Sequence, residues 1–241
     1  ETLANLIIRP DGKNSLRNLT YFSRPKYDPK KDLGPSTFTL GKKPMQRIDF
    51  DVFNTYKEAI KCSIFTPKKL RENVCLHRFL SLMDIQDYPC VVACHGNCGN
   101  RKDALELVDL LLPEDILVCC FDFSGYSLPF LLLASTNFDF RCGLSQGEYV
   151  TLGHKEKGDL RAVIKYLRQL TFISEYQITL KHIAKLCSSI GIYGRSMGAS
   201  TALLYSAEDP KIACLVLDSP FSNLAAVCRD QTLSYSVSIL P

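Results

Sequence analysis

The stretch Ser188-Ser-Ile-Gly-Ile-Tyr-Gly-Arg-Ser-Met-Gly-Ala-Ser-Thr-Ala-Leu-Leu204 contains the pattern that decides the fold of this 241-residue chain. It begins with an apolar run, residues 190–193, of the length of a buried strand, and it ends in Ala and Leu residues that favour a helix. Between them lies Gly194-Arg195-Ser196-Met197-Gly198, a G-x-S-x-G sequence. A serine in a very tight turn from strand to helix is pushed out of the sheet with its hydroxyl exposed. The stretch therefore predicts a strand, a sharp turn at Ser196 and a helix.

The two glycines of this pattern have a mechanical role. The residues two before and two after the serine come close together in such a turn, so both must be small, and here they are Gly194 and Gly198. The predicted helix directs its N-terminus at Ser196, which favours negative charge there. The alternative interpretation is a glycine-rich connection whose serine only faces solvent, because the motif needs its structural context.

Composition indicates a globular protein. Apolar residues make up 46% of the chain and charged residues 22%, and the formal net charge of +4 is too small to suggest a nucleic-acid partner. The longest apolar run, residues 128–134, is far shorter than the roughly 20 residues of a membrane span. No basic segment followed by an apolar one opens the chain. We therefore expect neither a transmembrane segment nor binding to nucleic acid.

The cysteines predict a reducing environment. There are eleven, an odd number, and several lie in apolar runs typical of strands: Cys94, Cys119, Cys120 and Cys214. Buried reduced thiols explain this pattern better than disulfides do, which favours a cytoplasmic location. Cys90, Cys94 and Cys98 are spaced by four, but no C-x-x-C pair or histidine partner accompanies them, so no metal or other cofactor is predicted.

The rest of the chain reads as one α/β domain after an extended lead-in. Residues 1–44, rich in Pro, Lys and Arg, form the predicted lead-in, and residues 45–241 form the predicted domain. The predicted strands are residues 46–53, 59–66, 90–94, 116–121, 190–193 and 213–217. Helical periodicity marks residues 159–170, and Asn100 is a predicted N-cap of another helix. Apolar strands that alternate with helices predict a mostly parallel sheet with helices on both faces.

Four polar loops follow the predicted strands. They are residues 95–100, 122–126, 195–198 and 218–219. Because parallel sheets place their sites at the carboxyl ends of their strands, these loops are expected to meet at one edge. This convergence supports a functional role for Ser196 beyond its motif.

These segments resemble the α/β-hydrolase fold over nearly the whole chain. His95-Gly96-Asn97 resembles its HG-type oxyanion loop, and Asp122-Phe123-Ser124-Gly125 resembles its D-x-x-G loop. Gly194-Arg195-Ser196-Met197-Gly198 resembles the nucleophile elbow, and Asp218-Ser219-Pro220-Phe221 resembles the end of the sixth strand. The wording is most similar to protist and plant serine hydrolases of the serine aminopeptidase-like or prolyl-oligopeptidase-like kind. The resemblance implies cleavage of an ester, thioester or peptide bond in a small-molecule, lipid-ester or peptide substrate.

The resemblance also implies roles for particular residues. Ser196 would be the catalytic nucleophile, and the backbone N–H groups of Asn97 and Met197 would form the oxyanion hole. Gly194 and Gly198 would be the elbow glycines. Three further residues are candidates for lining the site, namely His95, Asp122 and Asp218. Of these, His95 is interpreted as structural because it lies in the oxyanion loop.

The chain departs from the family at its C-terminal side. The family order is serine, then acid, then histidine, but no histidine follows Ser196; the four are His77, His95, His154 and His182. The segments for the seventh and eighth strands are also missing, so the fold is expected to be C-terminally incomplete. Two functions therefore remain open: a serine hydrolase that forms an acyl-enzyme, and a non-catalytic or truncated hydrolase-fold protein that binds a ligand or partner without turnover.

Two stretches look inserted relative to the family. Residues 126–141 separate Gly125 from Cys142-Gly143-Leu144-Ser145-Gln146-Gly147, which would otherwise continue the D-x-x-G loop. Residues 170–187 look inserted less clearly. Translated intron sequence and a lid segment are the two explanations. A nucleotide-binding fold is disfavoured, because no G-x-G-x-x-G or Walker lysine follows any predicted strand.

Overall fold

The structure, a computed structural model, describes residues 28–68, 88–97, 99–125, 142–169 and 187–223. The predictions about residues 126–141 and 170–186, and those that involve His77 and His182, lie outside the described residues. In chain order the elements are α1 (Pro29–Asp32), β1 (Thr37–Leu40), β2 (Lys43–Phe53), β3 (Ala59–Pro67), β4 (Tyr88–Cys94), α2 (Leu105–Leu111), β5 (Leu117–Phe121), α3 (Glu156–Gln169), β6 (Cys187–Arg195), α4 (Met197–Ser206) and β7 (Ile212–Asp218). None of these helices is long and apolar enough to cross a membrane.

The seven strands form a single sheet in the order β1-β2-β3-β5-β4-β6-β7. The strands β5, β4, β6 and β7 run parallel to one another. The strands β1, β2 and β3 are antiparallel to one another, and β3 is also antiparallel to its neighbour β5. The carboxyl ends of β5, β4, β6 and β7 therefore share one edge of the sheet, which is where the four polar loops begin.

Strand β5 shows how the sheet is buried from both sides. All five of its residues are buried, without polar alternation. Val118 and Cys120 pack in one apolar cluster with residues of α2 and its flanking turns, while Cys119 and Phe121 pack in a second cluster with α3 and α4. Such two-sided burial is typical of parallel strands with helices on both faces.

The antiparallel edge begins earlier than the sequence predicts. Helix α1 starts at the N-cap Asp28, whose side chain accepts from the Lys30 N–H, and β1 pairs with β2. The boundary placed at residue 45 falls inside β2 (Lys43–Phe53). The described part of the lead-in, residues 28–44, therefore contributes to the sheet rather than only preceding it.

The cysteines agree with the prediction except at β7. Cys94, Cys119 and Cys120 are buried free thiols, and burial raises the pKa of Cys120 to about 12. The expectation for Cys214 is wrong: this thiol is exposed, because β7 is the last strand of the described sheet and no residue of β7 is fully buried. On β6, Gly191 faces this thiol, and a Cβ at that position would lie 2.5 Å from the Cys214 Sγ.

Candidate active site

Ser196 occupies a strained turn between β6 and α4. Its backbone has φ 51° and ψ −113°, in the region of positive φ that residues with side chains rarely adopt. The Ser196 N–H donates to the backbone oxygen of Asp218 at 2.8 Å, which ties the turn to the end of β7. Helix α4 starts at the next residue, Met197, so its N-terminus points at the serine.

The two glycines around Ser196 fill positions with no room for a side chain. A Cβ on Gly194 would lie 2.4 Å from the Gly198 oxygen, and a Cβ on Gly198 would lie 2.2 Å from the Cys94 oxygen. Both obstacles are backbone atoms, which cannot move away like the end of a flexible side chain. Close packing of β4, β6 and α4 therefore forces the turn that carries Ser196.

The loop after β4 lies against this turn. A Cβ on Gly96 would be 3.7 Å from the Ser196 Cβ and 3.5 Å from the Arg195 oxygen. Asn97 follows directly, and its buried Oδ1 atom has no hydrogen-bond partner among the residues that the structure describes. On the other side of the serine, the Met197 N–H belongs to the first turn of α4, where backbone N–H groups have no partner within the helix. Gly96 therefore lies against the Ser196 turn, and Met197 follows the serine directly.

His95 is engaged through both ring nitrogens. Its Nε2 accepts from the Phe123 N–H at 3.0 Å, so the proton of the neutral ring is on Nδ1, which donates to the Gly96 oxygen at 2.7 Å. The ring also packs edge-on against Phe123, with centroids 4.9 Å apart. In this arrangement His95 joins the loops after β4 and β5, and neither nitrogen is available to take a proton from Ser196.

Asp122 is buried in the loop after β5 rather than exposed along the site. Its side chain has 0% exposure and forms an ion pair with Arg101, Nε to Oδ2 at 3.2 Å. The same carboxylate accepts the backbone N–H of Arg101 at 2.8 Å and that of Leu144 at 2.9 Å. A Cβ on Gly143 would lie only 2.2 Å from the Asp122 Cγ. Asp122 therefore fastens three segments together and does not line an accessible surface.

Asp218 ends β7 beside the turn. Its side chain pairs with the Arg195 guanidinium at 3.4 Å and accepts from the Tyr193 hydroxyl at 3.5 Å and the Ser219 hydroxyl at 2.8 Å. Burial and the nearby Asp218 charge raise the pKa of the Tyr193 phenol. The contact of Asp218 with Ser196 runs through the main chain, so this carboxylate holds the ends of β6 and β7 together.

The other described histidine follows Gly153, which packs against the middle of α4 rather than against the turn at Ser196. His154 is exposed in the turn that precedes α3. A Cβ on its neighbour Gly153 would contact Leu204 at 3.3 Å and Thr201 at 3.9 Å, positions that follow Ser196 by one to two turns of α4. Within residues 28–68, 88–97, 99–125, 142–169 and 187–223, His95 is thus the histidine nearest the serine, and its nitrogens are committed.

A cavity of about 520 Å³ lies between α3 and α4, but it is not next to Ser196. It is lined by Arg161, Lys165, Arg168, Tyr205, Glu208 and Asp209. Ion pairs run along it, from Arg161 to Glu208 and from Arg168 to Asp209. Arg161, Lys165 and Arg168 belong to α3. The other three lining residues lie in the last turn of α4 or just after it, whereas Ser196 precedes the first residue of α4.

Sequence reasoning missed several residues that build the site. Arg101 follows the predicted N-cap Asn100, and nothing in its neighbours indicates that its guanidinium is buried against Asp122. The Ser200 hydroxyl, one turn into α4, donates to the Phe221 oxygen at 3.1 Å and accepts from the Phe221 N–H. Asp159 reaches the loop after β5 from α3. For these residues the sequence predicted only the helix that carries Asp159, through its apolar periodicity.

Comparisons with known proteins agree with this architecture. No protein-family model matches the chain. The uncharacterized protein YqkD of Bacillus subtilis (strain 168) is 26% identical over 188 residues, which is 77% of this chain and 49% of that protein. The chain therefore spans about half the length of the curated relative that it matches.

Two solved structures share the fold. The esterase Pf2001 of Pyrococcus furiosus has a TM-score of 0.55 and 21% identity, over 90% of this chain and 64% of the esterase. The hypothetical protein PA2218 of Pseudomonas aeruginosa has a TM-score of 0.51 and 14% identity, over 90% of this chain and 60% of that one. The chain has an α/β-hydrolase fold, as its sequence predicts.

Proposed function

We propose that this chain is a serine hydrolase of the α/β-hydrolase type, with Ser196 as its nucleophile. The observation that carries the proposal is the backbone of Ser196, held at positive φ where β6 meets α4, with no room for a Cβ at Gly194 or Gly198. Strain of this kind persists only when the surrounding packing imposes it, and it concentrates at functional sites. A solvent-facing serine in an ordinary connection needs no such packing.

The chemistry is acyl transfer. The Ser196 hydroxyl oxygen attacks the carbonyl carbon of an ester, thioester or peptide bond, and its proton passes to a base. The carbonyl oxygen becomes an oxyanion and accepts hydrogen bonds from the backbone N–H groups of Asn97 and Met197. The leaving group departs with a proton, and water then releases the acyl group from Ser196. In this proposal Ser196 is the nucleophile, and the backbone N–H groups of Asn97 and Met197 are the oxyanion donors.

A second function, binding without turnover, is favoured by the state of His95. Both of its nitrogens are held by backbone groups, and a serine hydroxyl is too weak a nucleophile without a base. A chain with this site and no base would bind a carbonyl ligand and leave it intact. Since neither of the two described histidines, His95 and His154, is placed to act as the base, an inactive hydrolase-fold protein is the alternative.

The narrower assignments rest on the sequence. The substrate class is a small molecule, a lipid ester or a peptide, and the subgroup is that of the serine aminopeptidase-like and prolyl-oligopeptidase-like hydrolases. A cytoplasmic location follows from the reduced cysteines. Within the proposal, Ser196 is the catalytic residue, Asn97 and Met197 form the oxyanion hole, and His95, Asp122 and Asp218 support the surrounding loops.

The test combines a fluorophosphonate probe, read by intact mass, with hydrolysis of p-nitrophenyl esters, each with and without added imidazole as a replacement base. Ser196→Ala is the key variant, and Ser206→Ala, at the far end of α4, is the matched control. We expect slow labelling that imidazole accelerates and that only Ser196→Ala abolishes. Without imidazole, ester turnover is expected to reach at most the roughly 10³–10⁴-fold acceleration that binding and the oxyanion hole supply.

Other results would redirect the assignment. Tight binding of the ester without any Ser196-dependent labelling, even with imidazole, would favour the binding protein. Fast Ser196-dependent turnover without imidazole would show that the base has been misassigned, and His95 would be the first residue to substitute. Absence of both binding and labelling would remove the hydrolase proposal altogether.

A further inference from the structure

A second buried carboxylate, Asp159 on α3, binds the loop after β5, the loop that begins with Asp122. The Asp159 side chain has 0% exposure. Its Oδ2 accepts from the backbone N–H of Ser124 at 2.8 Å, and its Oδ1 accepts from the Asn54 side chain at 2.7 Å. The two oxygens therefore join α3 to the β5 loop and to the turn between β2 and β3.

The orientation of Asn54 is fixed independently of Asp159. Its Oδ1 accepts the backbone N–H groups of Tyr56 and Glu58, so its Nδ2 must face the carboxylates of Glu58 and Asp159. Because the donor cannot turn away, the position of the Asp159 carboxylate is set on that side. The remaining oxygen is directed at the Ser124 backbone.

No cation of the described residues is in salt-bridge contact with Asp159. The nearby ammonium, Lys155, pairs with Glu58 at 2.9 Å and lies over the Tyr149 ring at 5.0 Å. The neighbouring carboxylate, Glu156, accepts from the backbone N–H groups of Thr151 and Gly153. The Ser124 hydroxyl is buried close to Glu58 and Asp159 without a well-formed hydrogen bond. Asp159 is thus stabilised by hydrogen bonds alone.

The Ser124 backbone leads directly to the candidate site. Phe123, the preceding residue, is fully buried and donates its N–H to the Nε2 of His95. The proton on the other nitrogen of His95 then goes to Gly96, whose Cα faces the Ser196 turn. Hydrogen bonds between Asp159 and Ser124 and between His95 and both Phe123 and Gly96, joined by the peptide backbone of residues 123 and 124, therefore connect α3 to the loop beside the nucleophile.

From these connections we infer that Asp159 is a positioning residue for the oxyanion loop. By holding the Ser124 N–H, it keeps the adjacent Phe123 N–H directed at the His95 Nε2. That hydrogen bond selects the ring tautomer with its proton on Nδ1, which in turn holds the backbone of Gly96 and Asn97 beside Ser196. Asp159 touches neither the substrate nor the reacting atoms in this scheme. The catalytic meaning of this positioning rests on the proposed function, whereas its effect on the His95 tautomer does not.

The closing experiment reads the tautomer of His95 by nitrogen-15 NMR and the exchange of the Phe123 and Ser124 amide protons. Asp159→Ala removes both acceptors, and Asp159→Leu removes them while filling the space. Asp159→Asn keeps one oxygen for the Ser124 N–H. The matched control is Asp109→Ala, which removes an exposed carboxylate from α2.

In the wild-type protein and in Asp109→Ala we expect a single tautomer of His95, with Nε2 unprotonated. In Asp159→Ala or Asp159→Leu, whichever folds, we expect a mixture of His95 tautomers. The amide protons of Phe123 and Ser124 should also exchange at least about tenfold faster, because loss of one hydrogen bond of ordinary strength is enough for a tenfold change in rate. Asp159→Asn keeps an acceptor for the Ser124 N–H but sets its own NH2 against the fixed Asn54 donor, so it should restore the wild-type signal in part. A folded Ala or Leu variant with the wild-type tautomer and exchange would overturn the inference.

The result is separable from the test of the proposed function. A wild-type chain that never labels at Ser196 would leave the tautomer measurement intact and would remove only the catalytic purpose of the arrangement. Conversely, Ser196-dependent labelling that is identical in rate in the wild-type protein and in a folded Asp159→Leu variant would show that Asp159 does not position the oxyanion loop.

Discussion

The loops after β6 and after β5 meet at the same edge of the sheet, yet they are held in place by different means. The turn at Ser196 is set by lack of space: backbone atoms of Gly198 and Cys94 stand where side chains would be. The loop after β5 is set by buried carboxylates. Asp122 accepts hydrogen bonds from the backbones of Arg101 and Leu144, and Asp159 accepts one from the backbone of Ser124. Steric exclusion needs only small residues at fixed spacing, whereas a buried carboxylate needs donors from distant parts of the chain.

The two means of support also respond differently to the solvent. Close packing is indifferent to pH and salt, so the turn at Ser196 is expected to keep its shape wherever the protein is folded. Asp122 has Arg101 beside it, whereas Asp159 has neutral donors. Burial, countered by hydrogen bonds from Asn54 and Ser124, raises the pKa of Asp159 to about 6. The support of the loop after β5 is therefore expected to depend on pH.

The largest expected effect comes from breaking the ion pair of the β5 loop. Asp122→Ala leaves the buried Arg101 guanidinium without its nearest carboxylate and should lower the free energy of unfolding by about 3–5 kcal/mol. Urea unfolding followed by circular dichroism measures this change. The control is Asp51→Ala, which removes an exposed carboxylate paired with Lys61 and should cost about 1 kcal/mol or less. Equal losses in the two variants would contradict the comparison.

The next effect is a dependence of stability on pH. Raising the Asp159 pKa from 3.8 to about 6 on folding corresponds to about 3 kcal/mol. Because the folded state holds this proton more tightly, the contribution is complete below pH 3.8 and is lost as the pH rises through 6. The difference in unfolding free energy between wild-type and Asp159→Asn protein should therefore change by about that amount between pH 4 and pH 7.5. A difference that is flat over this range would show that folding does not raise the pKa of Asp159.

Adding one methyl group to the turn should come third. Gly198→Ala places a Cβ against the Cys94 oxygen, and overpacking of this kind costs about 1–3 kcal/mol. The same substitution at Gly158, in α3, meets only the Thr55 hydroxyl at 3.7 Å and should stabilise the helix by up to about 1 kcal/mol. Thermal unfolding of both variants checks the pair. Stabilisation by Gly198→Ala would mean that the turn is not limited by space.

The smallest effect concerns residues 126–141, which follow the loop after β5. The Cys142 N–H donates to the Gly125 oxygen at 3.2 Å, so the two ends of the 126–141 stretch are already neighbours. Replacing residues 126–141 by two glycines should change stability by no more than about 2 kcal/mol, in the stabilising direction, because the loop to be closed is shorter. A lower melting temperature would show instead that the stretch packs on the domain as a lid or core element.

The turn at Ser196 could be predicted from the sequence, whereas the contacts of the loop after β5 could not. Short-range patterns were sufficient for strand β5, for the Asn100 cap and for the turn at Ser196, because each depends on residue size or hydrogen bonding within a few positions. Long-range pairing was not: the partner of Asp122 lies 21 residues away and that of Asp159 lies 105 residues away in Asn54. A carboxylate after a strand looks the same in sequence whether it faces a substrate or a buried arginine.

Two further departures have the same origin. Strand β1 joins the sheet through β2, and its four residues show no pattern long enough to predict a strand. The exposure of Cys214 depends on the place of β7 at the end of the described sheet, which no local pattern indicates. Pairing partners and strand order are properties of the whole sheet, so composition around one residue does not contain them.

The contact between Gly191 and Cys214 has a consequence for how this sequence can change by descent. The thiol of one strand occupies the volume that any larger residue on the other would need. Substitutions at the two positions are therefore expected to be coupled: a side chain at 191 requires the Cys214 thiol to rotate away or to be replaced by a smaller residue. Homologous sequences should carry a record of this constraint as a correlated pair, one small residue always facing the other.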